Sequence, residues 1–124
     1  MRALGAELIQ GWQVGDVVLL HGDLGAGKTT LVRGALESLG FEEPVRSPTF
    51  NLLQQFETDP PVMHADLYRV KSYVGIGVED YLETHVCLIE WPDRAEGLID
   101  LEECWHVEIS FDGPGRIVKV IPPK

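Results

Sequence analysis

The chain has 124 residues, 44% apolar and 24% charged, with 20 acidic against 10 basic side chains and a formal net charge of −10. This length sets one domain, residues 1–124, with a single core. The charge excludes a chain that grips a nucleic-acid backbone by itself, because phosphate neutralisation needs clustered Lys and Arg. No apolar run reaches a membrane span and the N-terminus carries no basic-then-apolar signal, so the expected location is the cytoplasm, with no membrane or DNA partner. Cys87 and Cys104 lie in apolar stretches without a metal-ligand spacing, which predicts buried, reduced thiols.

In chain order, residues 2–12 predict a helix with Leu4, Leu8 and Ile9 inward. Gly11 and Gly15-Asp16 close it. Val17-Val18-Leu19-Leu20 is a short apolar run that predicts a buried parallel strand. Residues 30–39 predict a second helix, with Leu31, Val32, Ala35 and Leu39 on one face and Gly40 at its stop.

Between that strand and helix stands Gly22-Asp23-Leu24-Gly25-Ala26-Gly27-Lys28-Thr29, followed by Thr30. The spacing is G-x-x-x-x-G-K-T, a phosphate-binding loop in its expected strand–loop–helix setting. Glycines at 22, 25 and 27 let the backbone curl so that N–H groups converge on a phosphate, and the helix N-terminus adds its partial positive charge there. Lys28 can reach the β- and γ-phosphates, and the Thr29 hydroxyl can ligate Mg²⁺.

Further along, Pro48 biases Ser47 to an extended conformation, and Ser47-Pro48-Thr49 sits where a nucleotide-sensing segment can lie, or a plain loop. Residues 51–56 and 62–67 predict a hairpin across the Thr58-Asp59-Pro60-Pro61 turn. On the second strand His64 and Asp66 share one face, while Met63, Ala65 and Leu67 share the other. Residues 71–77 read as irregular and 78–83 as one or two helical turns. Val86-Cys87-Leu88-Ile89 is a second buried-strand run ending in Glu90, an apolar stretch and then an acid, the position from which a carboxylate holds Mg²⁺ and orients water beside a phosphate loop. Asp66, at a strand end, is the other candidate acid, for metal through water or for accepting a proton. Trp91 can stack on a base or fill core.

Residues 93–103 read as an acidic loop. Trp105, Val107, Ile109 and Phe111 alternate with polar residues, predicting a half-buried antiparallel strand. Asp112-Gly113-Pro114-Gly115 turns it into a partner over 116–121. The whole predicts an α/β fold, a single P-loop NTPase-like domain with a mixed parallel and antiparallel central sheet flanked by helices. No N-K-x-D or T-K-x-D follows, so the guanine-reading motif is missing from the sequence.

These motifs together resemble one family. Gly22 to Thr30, Ser47-Pro48-Thr49-Phe50, His64-Ala65-Asp66-Leu67-Tyr68-Arg69, Asp80-Tyr81-Leu82 and Ile89-Glu90-Trp91-Pro92 occur in the order and spacing of the TsaE (YjeE) family, the bacterial ATPases of tRNA threonylcarbamoyladenosine synthesis. The resemblance implies ATP and Mg²⁺ as cofactors. It implies a nucleotide site of Gly22, Gly25, Ala26, Gly27, Lys28, Thr29, Thr30 and Arg116, with Thr29 and Glu90 on the metal and Glu90, Lys28 and Asp66 in the chemistry. Ser47 to Phe50 resembles the family's switch loop. The implied partners are TsaB and TsaD, with tRNA reached through that complex, and the acidic charge of this chain fits a division in which a partner holds the tRNA. The sequence departs from the family in two places. The position of a nucleotide-approaching Thr falls at about Met1, and residues 71–77 are shorter than the family's acidic insert. Two other readings of the residues stay open: a nucleotide-dependent docking switch with negligible hydrolysis, and a small-molecule kinase.

Overall fold

A computed structural model describes residues 1–23, 26–42, 53–67, 77–90 and 100–124. The elements are α1 (Arg2–Ile9), β1 (Val17–His21), α2 (Lys28–Ser38), β2 (Leu53–Phe56), β3 (Val62–Asp66), β4 (Val86–Glu90), β5 (Trp105–Asp112) and β6 (Gly115–Ile121), with 3₁₀ turns at Val78–Asp80 and Leu101–Glu103.

The strands form one six-stranded sheet in the order β2-β3-β4-β1-β5-β6. β1 runs parallel to β4 and to β5, and β3 runs parallel to β4. The two edge strands reverse: β2 is antiparallel to β3, and β6 to β5. The apolar run 17–20 occupies the middle because it is buried on both faces, as a central parallel strand must be. The alternating pattern of β5 predicts an antiparallel strand, and that is true only of its β6 side; on the other side it pairs parallel with β1. Alternation reports that one face of a strand is buried, and says nothing of the neighbour's direction.

Both helices lie on one face. Leu31, Val32, Ala35 and Leu36 of α2 and Ile9 of α1 pack there with Val18, Leu20, Val62, Leu88 and Val107 of the sheet. The opposite face buries Leu19, Met63, Ala65, Cys87 and Ile89 against Val78, with Tyr81 and Leu82 partly covered. α1 is shorter than the 2–12 pattern predicts; Ile9 is buried in the core with Leu4 and Leu8 packed against it, as expected, and Gly5 and Gly34 let the two helix backbones touch. A Cβ on Gly5 would stand 2.0 Å from the Leu31 carbonyl oxygen, and one on Gly34 2.0 Å from that of Arg2. α2 begins two residues earlier than its apolar face predicts, so that Lys28 and Thr29 are its first helical residues.

Among the described residues no helix is long and apolar enough to cross a membrane. The two cysteines are free and buried.

Candidate functional site

β1 delivers the chain into the glycine-rich loop. Gly22 packs its backbone against β5, where a Cβ would meet the Ile109 carbonyl oxygen at 2.7 Å. Gly27 turns the chain into α2 with φ 115° and ψ 14°, a left-handed conformation that favours glycine. As N-cap it offers no side chain to the first-turn N–H groups, and no acidic residue stands in that turn. An α-helix leaves its first N–H groups without intrahelical acceptors and carries partial positive charge there. The N-terminus of α2 could therefore accept an anion such as a phosphate. Thr29 and Thr30 are half-buried on the same first turn.

Lys28 is buried at 6% exposure. Its ammonium donates to the carbonyls of Gly22 and, at 3.1 Å, of Asp23, folding back across the loop. A cation held beside these two carbonyls at the start of α2 could meet a phosphate oxygen.

The acids come from the other side of β1. Glu90 closes β4 and Asp66 closes β3, and the parallel register sets them directly opposite each other. Each is 5% exposed. Both point to the sheet face covered by α1 and α2, since Val86, Leu88 and Val62 of the same parity lie in that core. Charged groups this buried are rare without a partner or a metal. Two carboxylates directly opposite each other on neighbouring strands could also share a divalent cation. Mg²⁺ takes one or two carboxylates and completes its shell with phosphate oxygens and water. Glu90 and the Thr29 hydroxyl could contribute to such a set together with a phosphate. Among the described residues no group of three or more His, Cys, Asp or Glu is arranged to hold a metal by itself.

His64 completes this corner. It is fully buried, and its Nε2 lies 2.9 Å from Glu90 Oε2. The sequence placed His64 beside Asp66; its bond to Glu90 depends on the β3–β4 register. On the far side, Arg116 at the start of β6 reaches the loop: its Nε donates to the Ala26 carbonyl at 3.2 Å, and its guanidinium lies 4.2 Å over the Phe111 ring.

The structure thus brings Gly22, Ala26, Gly27, Lys28, Thr29 and Thr30 to one strand–helix junction, with Glu90 and Asp66 on one flank and Arg116 on the other. Gly25, Ser47 to Phe50, Tyr68, Arg69 and Trp91 lie outside the described residues.

A mixed sheet with a parallel centre, a glycine-rich loop between a central strand and a helix, and acids at the carboxyl ends of neighbouring strands defines a P-loop NTPase-like α/β protein. The family model for Threonylcarbamoyl adenosine biosynthesis protein TsaE matches residues 1–117. The chain belongs to the TsaE family, whose members act in tRNA threonylcarbamoyladenosine biosynthesis. It is 41% identical over 110 residues to the tRNA threonylcarbamoyladenosine biosynthesis protein TsaE of Haemophilus influenzae, covering 85% of this chain and 69% of that one. It is 42% identical over 114 residues to the protein of the same name from Bacillus subtilis, covering 82% and 72%. Its fold is similar to the crystal structure of Bacillus subtilis YdiB, with a TM-score of 0.77 and 30% identity over 96% of this chain and 74% of that one.

Proposed function

We propose that this chain is an ATP-binding and hydrolysing subunit needed to form N6-threonylcarbamoyladenosine next to the anticodon of tRNAs reading ANN codons, acting on a complex of TsaB and TsaD. The observation that carries the hydrolytic part is the buried pair Glu90 and Asp66, opposite each other at the carboxyl ends of β4 and β3 and on the face of the phosphate-loop helix. A binding loop alone needs no such acids. Hydrolysis needs one to hold metal and orient water.

In this reading the α2 N-terminus and Lys28 bind the ATP phosphates, Thr29 and Glu90 hold Mg²⁺, and Asp66 orients or accepts a proton from water. Bound Mg²⁺ supplies neutralisation of charge on the transferred phosphoryl group. Arg116 fixes the loop from the β6 side. The net charge of −10 supports a division in which the partners hold the tRNA.

The test is Mg²⁺-dependent phosphate release from ATP and from GTP, by the chain alone and with TsaB and TsaD, using Glu90→Gln as control. Release from ATP that rises with the partners and vanishes in the variant is the expected result. Nucleotide binding with no release above the variant under any condition would leave a docking switch instead. A phosphorylated acceptor in place of free phosphate would make the protein a kinase.

A further inference from the structure

We infer that His64 is a positioning residue for Glu90: its Nε2–H pins one oxygen of the Glu90 carboxylate and leaves the other free to meet Mg²⁺. The inference rests on the metal role proposed for Glu90 above.

His64 is an unusual occupant of its position. It is fully buried on a strand whose other residues are Val62, Met63, Ala65 and the closing Asp66. An imidazole taken from water must recover hydrogen bonds at both nitrogens, and here Nδ1 has no partner. A histidine kept for packing alone would be served better by an apolar side chain of the same volume, with no polar atom to desolvate. What the imidazole does gain is the 2.9 Å bond to Glu90. With the hydrogen on Nε2, donated to the carboxylate, the buried orphan at Nδ1 is an acceptor lone pair and not an N–H.

The register explains why this residue can do it. His64 pairs with Leu88, and Glu90 lies two residues further along β4 on the same face, so the imidazole meets the carboxylate diagonally across the strands. Asp66 stands directly opposite Glu90. A glutamate has three side-chain torsions and a like-charged neighbour there, and nothing in its own backbone fixes its carboxylate. Pinning Oε2 from the His64 side fixes it. Hydrogen bonds from behind a metal ligand commonly change metal affinity or activity by about 10- to 100-fold when removed.

The experiment measures the affinity of a fluorescent ADP analogue in EDTA and in Mg²⁺, for the parent chain, His64→Gln, His64→Asn and His64→Leu, each also in a Glu90→Gln background. Mg²⁺ is expected to tighten binding to the parent. His64→Leu should lose about 10- to 100-fold of that tightening while its affinity in EDTA stays at the parent value. His64→Gln, whose amide N–H falls near the Nε2 position, should restore most of the loss, and the shorter His64→Asn should not. In the Glu90→Gln background the His64 substitutions should have no further effect. Should His64→Leu fail to fold, the Gln and Asn pair decides. Equal Mg²⁺ tightening in the His64 variants and the parent, or a loss of the same size with and without Glu90, overturns the inference and leaves the metal role of Glu90 standing. A parent chain that Mg²⁺ does not tighten at all overturns that role and the inference with it.

Discussion

Asp66 and Glu90 face each other across the parallel strands β3 and β4, each 5% exposed and each the last residue of its strand. Neither is needed to close the sheet, and each is costly to bury as a charge. Replacing Glu90 by Gln keeps the volume and one oxygen for His64 while removing a charge from this pair. Phosphate release should fall by at least about 100-fold, nucleotide affinity in EDTA should stay at the parent value, and the melting temperature should not drop. A drop of several degrees would mark Glu90 as structural.

Asp66→Asn separates metal from proton chemistry. If Asp66 serves the water, turnover should fall about 100-fold with the Mg²⁺-bound nucleotide affinity unchanged by calorimetry. If it serves the metal, the affinity in Mg²⁺ falls with the turnover. Unchanged turnover would remove Asp66 from the site.

Arg116 ties the hairpin β5–β6 to the phosphate loop through the Ala26 carbonyl, with its guanidinium over the Phe111 ring. A net hydrogen bond of this kind contributes about 1 kcal/mol, roughly a fivefold change in an equilibrium. Arg116→Ala should weaken ATP binding by up to about that factor and lower the melting temperature by no more than a few degrees. Arg116→Lys should behave like Ala, since an ammonium has neither the Nε donor nor the planar face. Equal affinities for all three proteins in a direct titration would show that the tie does not matter to the loop.

Much of this was legible in the sequence, and for a definite reason. The phosphate loop is written in residue identities at fixed spacing, and Glu90 announces itself as an acid closing an apolar run. Both facts are local. What the sequence does not carry is who neighbours whom. The alternation of Trp105, Val107 and Ile109 marks a one-sided strand equally well beside a parallel or an antiparallel partner, so the pairing of β5 with β1 was not readable. The bond between His64 and Glu90 joins residues 26 positions apart through a register that only the folded sheet defines. The use of Gly5 and Gly34, a backbone contact between the two helices, lies between elements and is not written in either helix alone.

That contact makes the third region to test. α2 carries the N-terminus proposed to bind phosphate at one end, and Gly34 rests on the Arg2 backbone in the middle. Ala is ordinarily the better helix former by about 1 kcal/mol. Here its methyl would overlap a carbonyl oxygen, and overpacking of this kind costs about 1–3 kcal/mol. Gly34→Ala should lower the melting temperature by roughly 3–10 °C for a chain of this size and weaken nucleotide binding, because α2 must shift to make room. Gly5→Ala should do the same. A gain in stability from either, in a calorimetric scan, would contradict the close approach.

The cysteines give a pH dependence whose sign follows from burial. Burial pushes the Cys87 thiol up from its ordinary 9.0 to about 12, with Cys104 adding to the rise. Burial first, then Asp100 and Glu103, push Cys104 to about 11. Both thiols donate to backbone carbonyls, Cys87 to Tyr81 at 3.4 Å and Cys104 to Asp100 at 3.3 Å. Above their ordinary value the unfolded chain has released these protons and the folded chain still holds them. Stability from this source is therefore complete below pH 9.0 and is lost as the pH rises through the folded values of about 11 and about 12. Cys87→Ala should flatten the alkaline limb of the stability curve relative to the parent, a difference that cancels the titration of Lys and Tyr. At about pH 8 the native protein should react slowly with a thiol reagent and the unfolded protein completely, because the thiolate is the reactive form. Rapid reaction of the native protein would place the two sulfurs in contact with solvent and remove the basis for the alkaline effect.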